Sequence, residues 1–192
     1  MRDQGLVVAI DGPSGAGKST AGRALAERLG YTYIDTGAMY RALALKAMRS
    51  GVSLDSEEAL ATLCRASSIE LSEGGRKVIL DGEDVTSAIR SPETSRASSL
   101  VSVHPGVRTE MVARQREMGR EGKVVLDGRD IGTAVFPDAD VKFFLDASPG
   151  ERAHRRHDEL QAAGSDVSLE SVEEDVRERD YTDSHRKESP LV

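Results

Sequence analysis

An α/β fold built on a three-layer, doubly wound parallel sheet is predicted by three features of this 192-residue sequence. Four short apolar segments, "LVVAI", "YTYID", "KVVLD" and "VKFFLD", read as strands, and the unbroken run of the first suits a strand covered on both faces. Helical repeats follow the first two, so the chain opens strand–loop–helix–strand–helix. A hairpin signal then interrupts this rhythm before the last two strands restore it.

Residues 6–10 form the first strand. Residues 18–29, "KSTAGRALAERL", place Ala21, Leu25 and Leu29 on one face of a helix that Gly30 ends. Residues 31–35 give the second strand, and "TGAMYRALALKAMRSG" a helix running to about Arg49. A third helix covers "SEEALATLCRA", with Ser56 placed to cap it. The hairpin comes next: "IEL", a Glu-Gly-Gly turn, and "VIL". Helical patterning resumes in "ASSLVSVHPGVRTEMVARQREMGRE". The last two strands lie within 123–130 and 141–147. A basic helix spans 150–161, and a very polar one begins at a Ser cap in "SLESVEEDVRERDYTDSHR". The whole reads as one domain over 1–192, with a core of about 1–35 and 120–192 and an insert of about 36–119. An insert after "YID" lies at the carboxyl end of the strands, where ligands bind in such sheets.

Composition narrows the class of function. A formal charge of −7 argues against a nucleic-acid or membrane-surface protein, which needs a net basic face. Cys64 is the single cysteine, so no intramolecular disulfide forms and a reducing cytoplasm is the expected home. The apolar run near the N-terminus is too short for a signal peptide or a membrane span. His104, His154, His157 and His185 lack ligand spacing, and nothing suggests a His/Cys metal cage or a Ser-His-Asp triad.

The stretch "DGPSGAGKST" carries the first piece of chemistry. Gly12, Gly17, Lys18 and Ser19 fill the pattern G-x-x-x-x-G-K-[ST] between a strand and a helix. The glycines let successive N–H groups turn toward one anion, and the helix N-terminus adds its dipole. Lys18 is expected to reach the β- and γ-phosphates of a nucleotide, and the Ser19 hydroxyl to ligate Mg²⁺. A flexible glycine loop that binds nothing is the plainer alternative, and the strand–loop–helix context speaks against it.

Four further stretches could serve a second site. "DTGAMYR" brings a hydroxyl at Thr36 and a cation at Arg41 to a helix start, which also suits a plain Thr cap with a solvated Arg. In "LDGRDIGTAVFP", a strand ends at Asp127, Gly128 turns the chain, and Arg129 and Asp130 project. Asp127 is placed to hold the water shell of Mg²⁺. "ERAHRRH" puts Arg152, Arg155 and Arg156 on neighbouring helix faces, as a phosphoryl clamp or as a solvated face. "RERDYTDSHR" offers Arg177, Arg179, Asp183 and Arg186, which by composition alone make a charged surface helix.

Together these stretches resemble the bacterial cytidylate kinases of the P-loop nucleoside monophosphate kinase group. The resemblance rests on "AIDGPSGAGKS", "DTGAMYRALAL", "ILDGEDVTSAIRSPE", "DGRDIGTAVFPDADVKFFLDAS", "ERAHRR" and "ERDYTDSHR", in order along nearly the whole chain. It implies transfer of the γ-phosphoryl group of ATP to CMP or dCMP, with Mg²⁺, by a cytoplasmic monomer. The donor loop would comprise Gly12, Pro13, Ser14, Gly15, Ala16, Gly17, Lys18, Ser19 and Thr20. Thr36, Arg41, Arg129 and Arg186 would hold the acceptor's α-phosphate; Ser99, Arg108 and Asp130 would read cytosine; Arg179 and Asp183 would reach the sugar. Lys18 and Arg129, with Arg152, Arg155 and Arg156 on a lid of about 152–168, would carry the transfer, and Ser19 and Asp127 the metal.

Thr36 stands where the family frequently has Ser, and Ser98 competes with Ser99 for its place. The family also continues past "SPL" with a strand and a helix, so a sheet short of its last strand is expected here. Other readings remain at this stage. Another small-molecule P-loop kinase, such as a shikimate or dephospho-coenzyme A kinase, is opposed by the hairpin insert and "DGRDIGT". A GTP-reading switch needs an Asn-Lys-x-Asp motif, and the chain contains no Asn. A catalytically weak nucleotide-binding scaffold is the third.

Overall fold

The computed structural model describes residues 5–162 and 164–191, so the two end points of the single-domain assignment and residue 163 of the expected lid lie outside the described residues. The chain opens with β1 (Val7–Asp11), α1 (Lys18–Leu29), β2 (Thr32–Asp35) and α2 (Thr36–Arg49). The insert continues with α3 (Glu57–Arg65), β3 (Ile69–Ser72), β4 (Lys77–Leu80), the short β5 (Glu83–Asp84), α4 (Pro92–Val101) and α5 (Pro105–Met118). The core resumes with β6 (Val124–Gly128), a π-helical turn (Ile131–Val135) and β7 (Val141–Phe144). Helices α6 (Pro149–Ala162) and α7 (Leu169–His185) complete it.

The central sheet is parallel, in the order β2-β6-β1-β7. Its register aligns the carboxyl ends: Asp35 lies opposite Asp127, and Asp11 opposite Gly128. Three carboxylates are thereby brought to one rim of the sheet. Successive residues alternate between its two faces, and each face has its own core. Val8, Ile10, Tyr33 and Val125 pack with Ala26 of α1. Val7, Ala9, Ile34, Val124 and Leu126 pack with Ile131, Val135 and Phe136. The result is the expected three-layer α/β arrangement with four sheet strands. At its β7 edge, Phe143 and Phe144 are about half exposed, at 47% and 51%.

The face of α1 differs from the apolar-spacing expectation. Besides Lys18 at its start, Gly22 and Ala26 are the buried members, while Ala21 is exposed and Leu29 is 45% exposed. Small residues let the helix approach the sheet: a Cβ on Gly22 would lie 2.8 Å from Tyr33 Cε2. The helical patterning after the hairpin also divides. Pro105, at the start of α5, separates it from α4, which begins earlier at Pro92, where the Ser91 hydroxyl accepts from the Thr94 N–H. Ser56 does precede α3 as its cap residue, though without a side-chain cap bond.

The insert has a separate core around Met39, Leu43, Leu60, Ile89, Val101 and Met111, completed by the antiparallel sheet β3-β4-β5. Helices α6 and α7 pack through Ala153, Leu160, Val172 and Val176. No described helix is long and apolar enough to cross a membrane.

Candidate active site

The loop from β1 to α1 is built by backbone. Gly12, Gly15 and Gly17 all have positive φ, and Gly17 is the left-handed cap of α1. At Gly12 a Cβ would overlap the Leu145 carbonyl oxygen, so only glycine fits. Pro13 and Ala16 are buried, Ser14 is partly so, and Thr20 faces outward. Lys18 is also buried, and its Nζ donates to the Pro13 carbonyl at 2.7 Å. Burial first, and then the Arg129 cation, push its ammonium down to about 7.

Beside it stands Asp127. The Ser19 hydroxyl donates to its Oδ2 at 2.9 Å, and the Thr36 hydroxyl to its backbone carbonyl at 2.7 Å. Burial, followed by the neighbouring Asp35 charge, pushes the Asp127 carboxyl up to about 6. The cap of α2 is Asp35 rather than Thr36: its Oδ1 accepts from Ala38 N–H at 2.8 Å, and its Oδ2 pairs with Arg41 at 3.1 Å. Asp11, the third rim carboxylate, accepts from Ile131 N–H and Gly132 N–H, each at 2.7 Å. That clamp fixes the turn immediately after Arg129 and Asp130.

A dense ion-pair cluster joins α5, the turn after β6 and the end of α7. Asp130 Oδ2 accepts from Arg108 Nη2, and Arg186 stands 3.4 Å from Oδ1; all three side chains are less than a tenth exposed. Arg129 Nε donates to Asp183 Oδ2 at 2.6 Å. Burial alone would raise Asp183, but Arg129 and Arg179 outweigh it and hold the carboxyl below its ordinary value. Arg179 is pushed down to about 10 by burial and then by Arg129. Arg186 is lowered likewise, by burial and then by Arg108. The cluster thus carries more guanidinium than carboxylate, as an anion site requires. Lys18 feels Arg129, Arg179, Asp127 and Asp183, so the phosphate loop and this cluster share one electrostatic neighbourhood.

The predicted residues fall unevenly around this site. Ser98 turns its hydroxyl back onto the Ser95 carbonyl at 2.8 Å, leaving the partly exposed Ser99 without a side-chain hydrogen bond among the described residues. Of the three arginines expected on a lid, Arg152 is buried, donating to the Ser14 carbonyl at 3.1 Å and to both oxygens of Asp180 at 2.9 and 2.5 Å. Arg155 is exposed and reaches the Gly15 carbonyl at 3.4 Å, whereas Arg156 pairs with Glu159 within its own helix. Asp11, Asp35, Asp180 and Tyr40 were not among the expected site residues. Tyr40 sits by Arg108, Asp130 and Arg186, with burial pushing its phenol up to about 12. Among the described residues no three His, Cys, Asp or Glu side chains cluster as a metal cage.

The family model described as cytidylate kinase matches residues 8–192. A cytidylate kinase of Desulfitobacterium hafniense is 53% identical over 97% of this chain and 81% of its own length. One of Geobacillus kaustophilus is 54% identical over 97% and 84%, and one of Geobacter sulfurreducens 53% identical over 98% and 82%. Among solved structures, shikimate kinase from Acinetobacter baumannii in complex with shikimate covers 92% of this chain and 75% of its own, with 17% identity and a TM-score of 0.45. On the family match and on relatives more than half identical across its length, the chain belongs to the cytidylate kinase family of nucleoside monophosphate kinases.

Proposed function

We propose that the protein transfers the γ-phosphoryl group of ATP to CMP or dCMP, giving ADP and CDP or dCDP. An oxygen of the acceptor's α-phosphate forms the new P–O bond, and the bond between the β,γ-bridging oxygen and the γ-phosphorus breaks. Such a transfer needs little covalent help; it needs two polyanions held in line and their spreading charge neutralised. The observation that carries the reading is the Arg129–Asp183 pair with Arg179 beside it, sharing one electrostatic neighbourhood with Lys18 of the phosphate loop.

In this reading the donor phosphates lie on the loop from Gly12 to Thr20, with Lys18 leaving the Pro13 carbonyl to meet them. Arg152 and Arg155 already touch that loop, and Arg156 swings from Glu159 to join them. Thr36, Arg41, Arg129 and Arg186 receive the acceptor's phosphate, and Arg179 with Asp183 the sugar. Cytosine is read by Ser99, Arg108 and Asp130. Asp130 accepts from the cytosine amino group through lone pairs its two arginines leave free; uracil turns a carbonyl toward it and offers no donor.

Ser19 and Asp127 suit a Mg²⁺ ion. They lie 2.9 Å apart, and Asp35 beside Asp127 leaves an excess of negative charge that a cation would relieve. When bound, the ion would neutralise charge on the donor phosphates. The rest of the reading is a cytoplasmic monomer acting on small molecules, with neither nucleic acid nor membrane as partner. A coupled assay with CMP, dCMP, UMP, AMP and GMP tests it: turnover should be highest with CMP and dCMP. Turnover with AMP or GMP above that with CMP would reject it.

A further inference from the structure

Helix α7 presents two carboxylates, one turn apart, to arginines from two other segments. Asp180 accepts from both terminal nitrogens of Arg152 on α6, at 2.9 and 2.5 Å. Asp183 accepts from Nε of Arg129, in the turn after β6, at 2.6 Å. An i, i+3 step is about 4.5 Å along a helix axis, so one rigid element sets the offset between the two pairs. Arg152 is the most firmly held of the α6 arginines. Its side chain is 3% exposed, and its guanidinium makes four hydrogen bonds: two to Asp180, one from Nε to the Ala147 carbonyl at 2.9 Å, and one to the Ser14 carbonyl at 3.1 Å. Two of the acceptors are backbone carbonyls, so Asp180 is the group that balances the buried charge and fixes the plane of the fork. The backbone of α6 is seated separately: a Cβ on Gly15, at φ +77°, would lie 3.1 Å from the Cβ of Arg152. Among the described residues, neither Arg155 nor Arg156 pairs with α7.

We propose that Asp180 is a positioning residue for phosphoryl transfer: with Asp183 one turn on, it holds Arg152 of the donor side and Arg129 of the acceptor side at the offset that in-line alignment of the two phosphates requires. The inference rests on the proposed donor role of Arg152 and acceptor role of Arg129. Alignment of this kind acts on the transition state more than on ground-state binding, and a displacement of about 1 Å can cost about a hundredfold in rate. Asn at position 180 keeps the shape of the carboxylate. It turns an amide donor toward a guanidinium that itself offers only donors, so one tooth of the fork is lost.

Steady-state kinetics with ATP and CMP test this on the full chain, using the parent, Asp180→Asn, Arg152→Ala and the double variant, each with its denaturation midpoint. Asp180→Asn should lower kcat by about ten- to a hundredfold, with the KM for CMP within about twofold of the parent's. Arg152→Ala should lower kcat at least as far. Adding Asp180→Asn to it should cost less than about twofold more, because Asp180 acts through Arg152. A merely structural pair would lower the midpoint of Asp180→Asn and leave kcat within about twofold of the parent's, which would overturn the proposal. Full additivity in the double variant would overturn it too. Arg152→Lys keeps a charge opposite Asp180 but not the fork, so it should show the same loss of kcat whether or not Asp180→Asn folds; a parent-like kcat there would also overturn the proposal. If Arg152→Ala keeps the parent's kcat, the donor role of Arg152 fails and takes the Asp180 role with it. The proposed reaction stands or falls separately, on the parent's own turnover with CMP.

Discussion

The loop proposed for the donor and the cluster proposed for the acceptor meet at the same rim of the sheet but are held by different means. The donor side is shaped by backbone conformation, with three glycines at positive φ, one of them (Gly12) where a Cβ would strike the Leu145 carbonyl, and few charged groups. Those charges are pushed toward their neutral forms, Lys18 down to about 7 and Asp127 up to about 6, by burial before anything else. The acceptor side is shaped by ion pairs between distant segments: Arg108 from α5, Asp130 after β6, and Asp183 and Arg186 at the end of α7. Damage to the first should therefore abolish chemistry, and damage to the second should blur which acceptor is chosen.

The sharpest way to break this contrast is Lys18→Ala. It should lower kcat by at least about a thousandfold, since it removes the charge placed for the transferring phosphoryl group. CMP binding, measured by calorimetry, should change by less than about threefold. Equal loss of CMP binding would mean that the two sides are not separable.

Arg108→Ala should act the other way. Asp130 would keep only Arg186, and breaking a buried pair on one side typically costs about 3–5 kcal/mol. A lower denaturation midpoint and a raised KM for CMP are expected, with the KM for ATP little changed. If the ATP constant rises in step, the cluster is not specific to the acceptor.

Acid should separate the two regions in the nucleotide-free protein. Asp127 is raised from 3.8 to about 6, so the folded state binds its proton more readily and this residue's contribution to stability rises as pH falls from about 6 toward 4. Asp183 is lowered, so its contribution is present above 3.8 and is lost as pH falls through its depressed value. Denaturation midpoints between pH 7 and 3 should show Asp127→Asn flattening the upper window, by on the order of 1–3 kcal/mol. Asp183→Asn should flatten only the lower one. The reverse assignment would contradict the electrostatic contrast.

The smallest effect belongs to Arg96→Ala, which removes a two-toothed bridge from α4 to Asp175 of α7 at 2.9 and 3.2 Å. Both partners are well exposed, and such pairs are worth about 0–1 kcal/mol. Its kinetics should match the parent's within about twofold, and a larger change would mean that this pair governs how the insert meets α7.

Much of the donor side was legible in the sequence because it is contiguous: one strand, six loop residues and one helix carry the pattern. The strands were legible for the same reason, as apolar runs. What escaped depends on contacts between remote segments. Asp180 looks like one charge on a solvated helix until α6 brings Arg152 against it. Asp11 reads as a loop residue, but its carboxylate fixes N–H groups 120 and 121 positions away. The buried face of α1 was missed because Gly22, with no side chain to count, makes the closest approach. Asp35 could have been found, since an Asp directly before a helical run is a cap signal as good as the Thr after it.

The most direct test is base selection by Asp130→Asn. The amide keeps the shape of the carboxylate but adds a donor, so CMP loses a charge-assisted bond while UMP gains a partner. The ratio of kcat/KM for CMP over UMP should fall by at least about tenfold, with the KM for ATP unchanged. A ratio equal to the parent's would place Asp130 outside base recognition and contradict the assignment of this cluster to the acceptor.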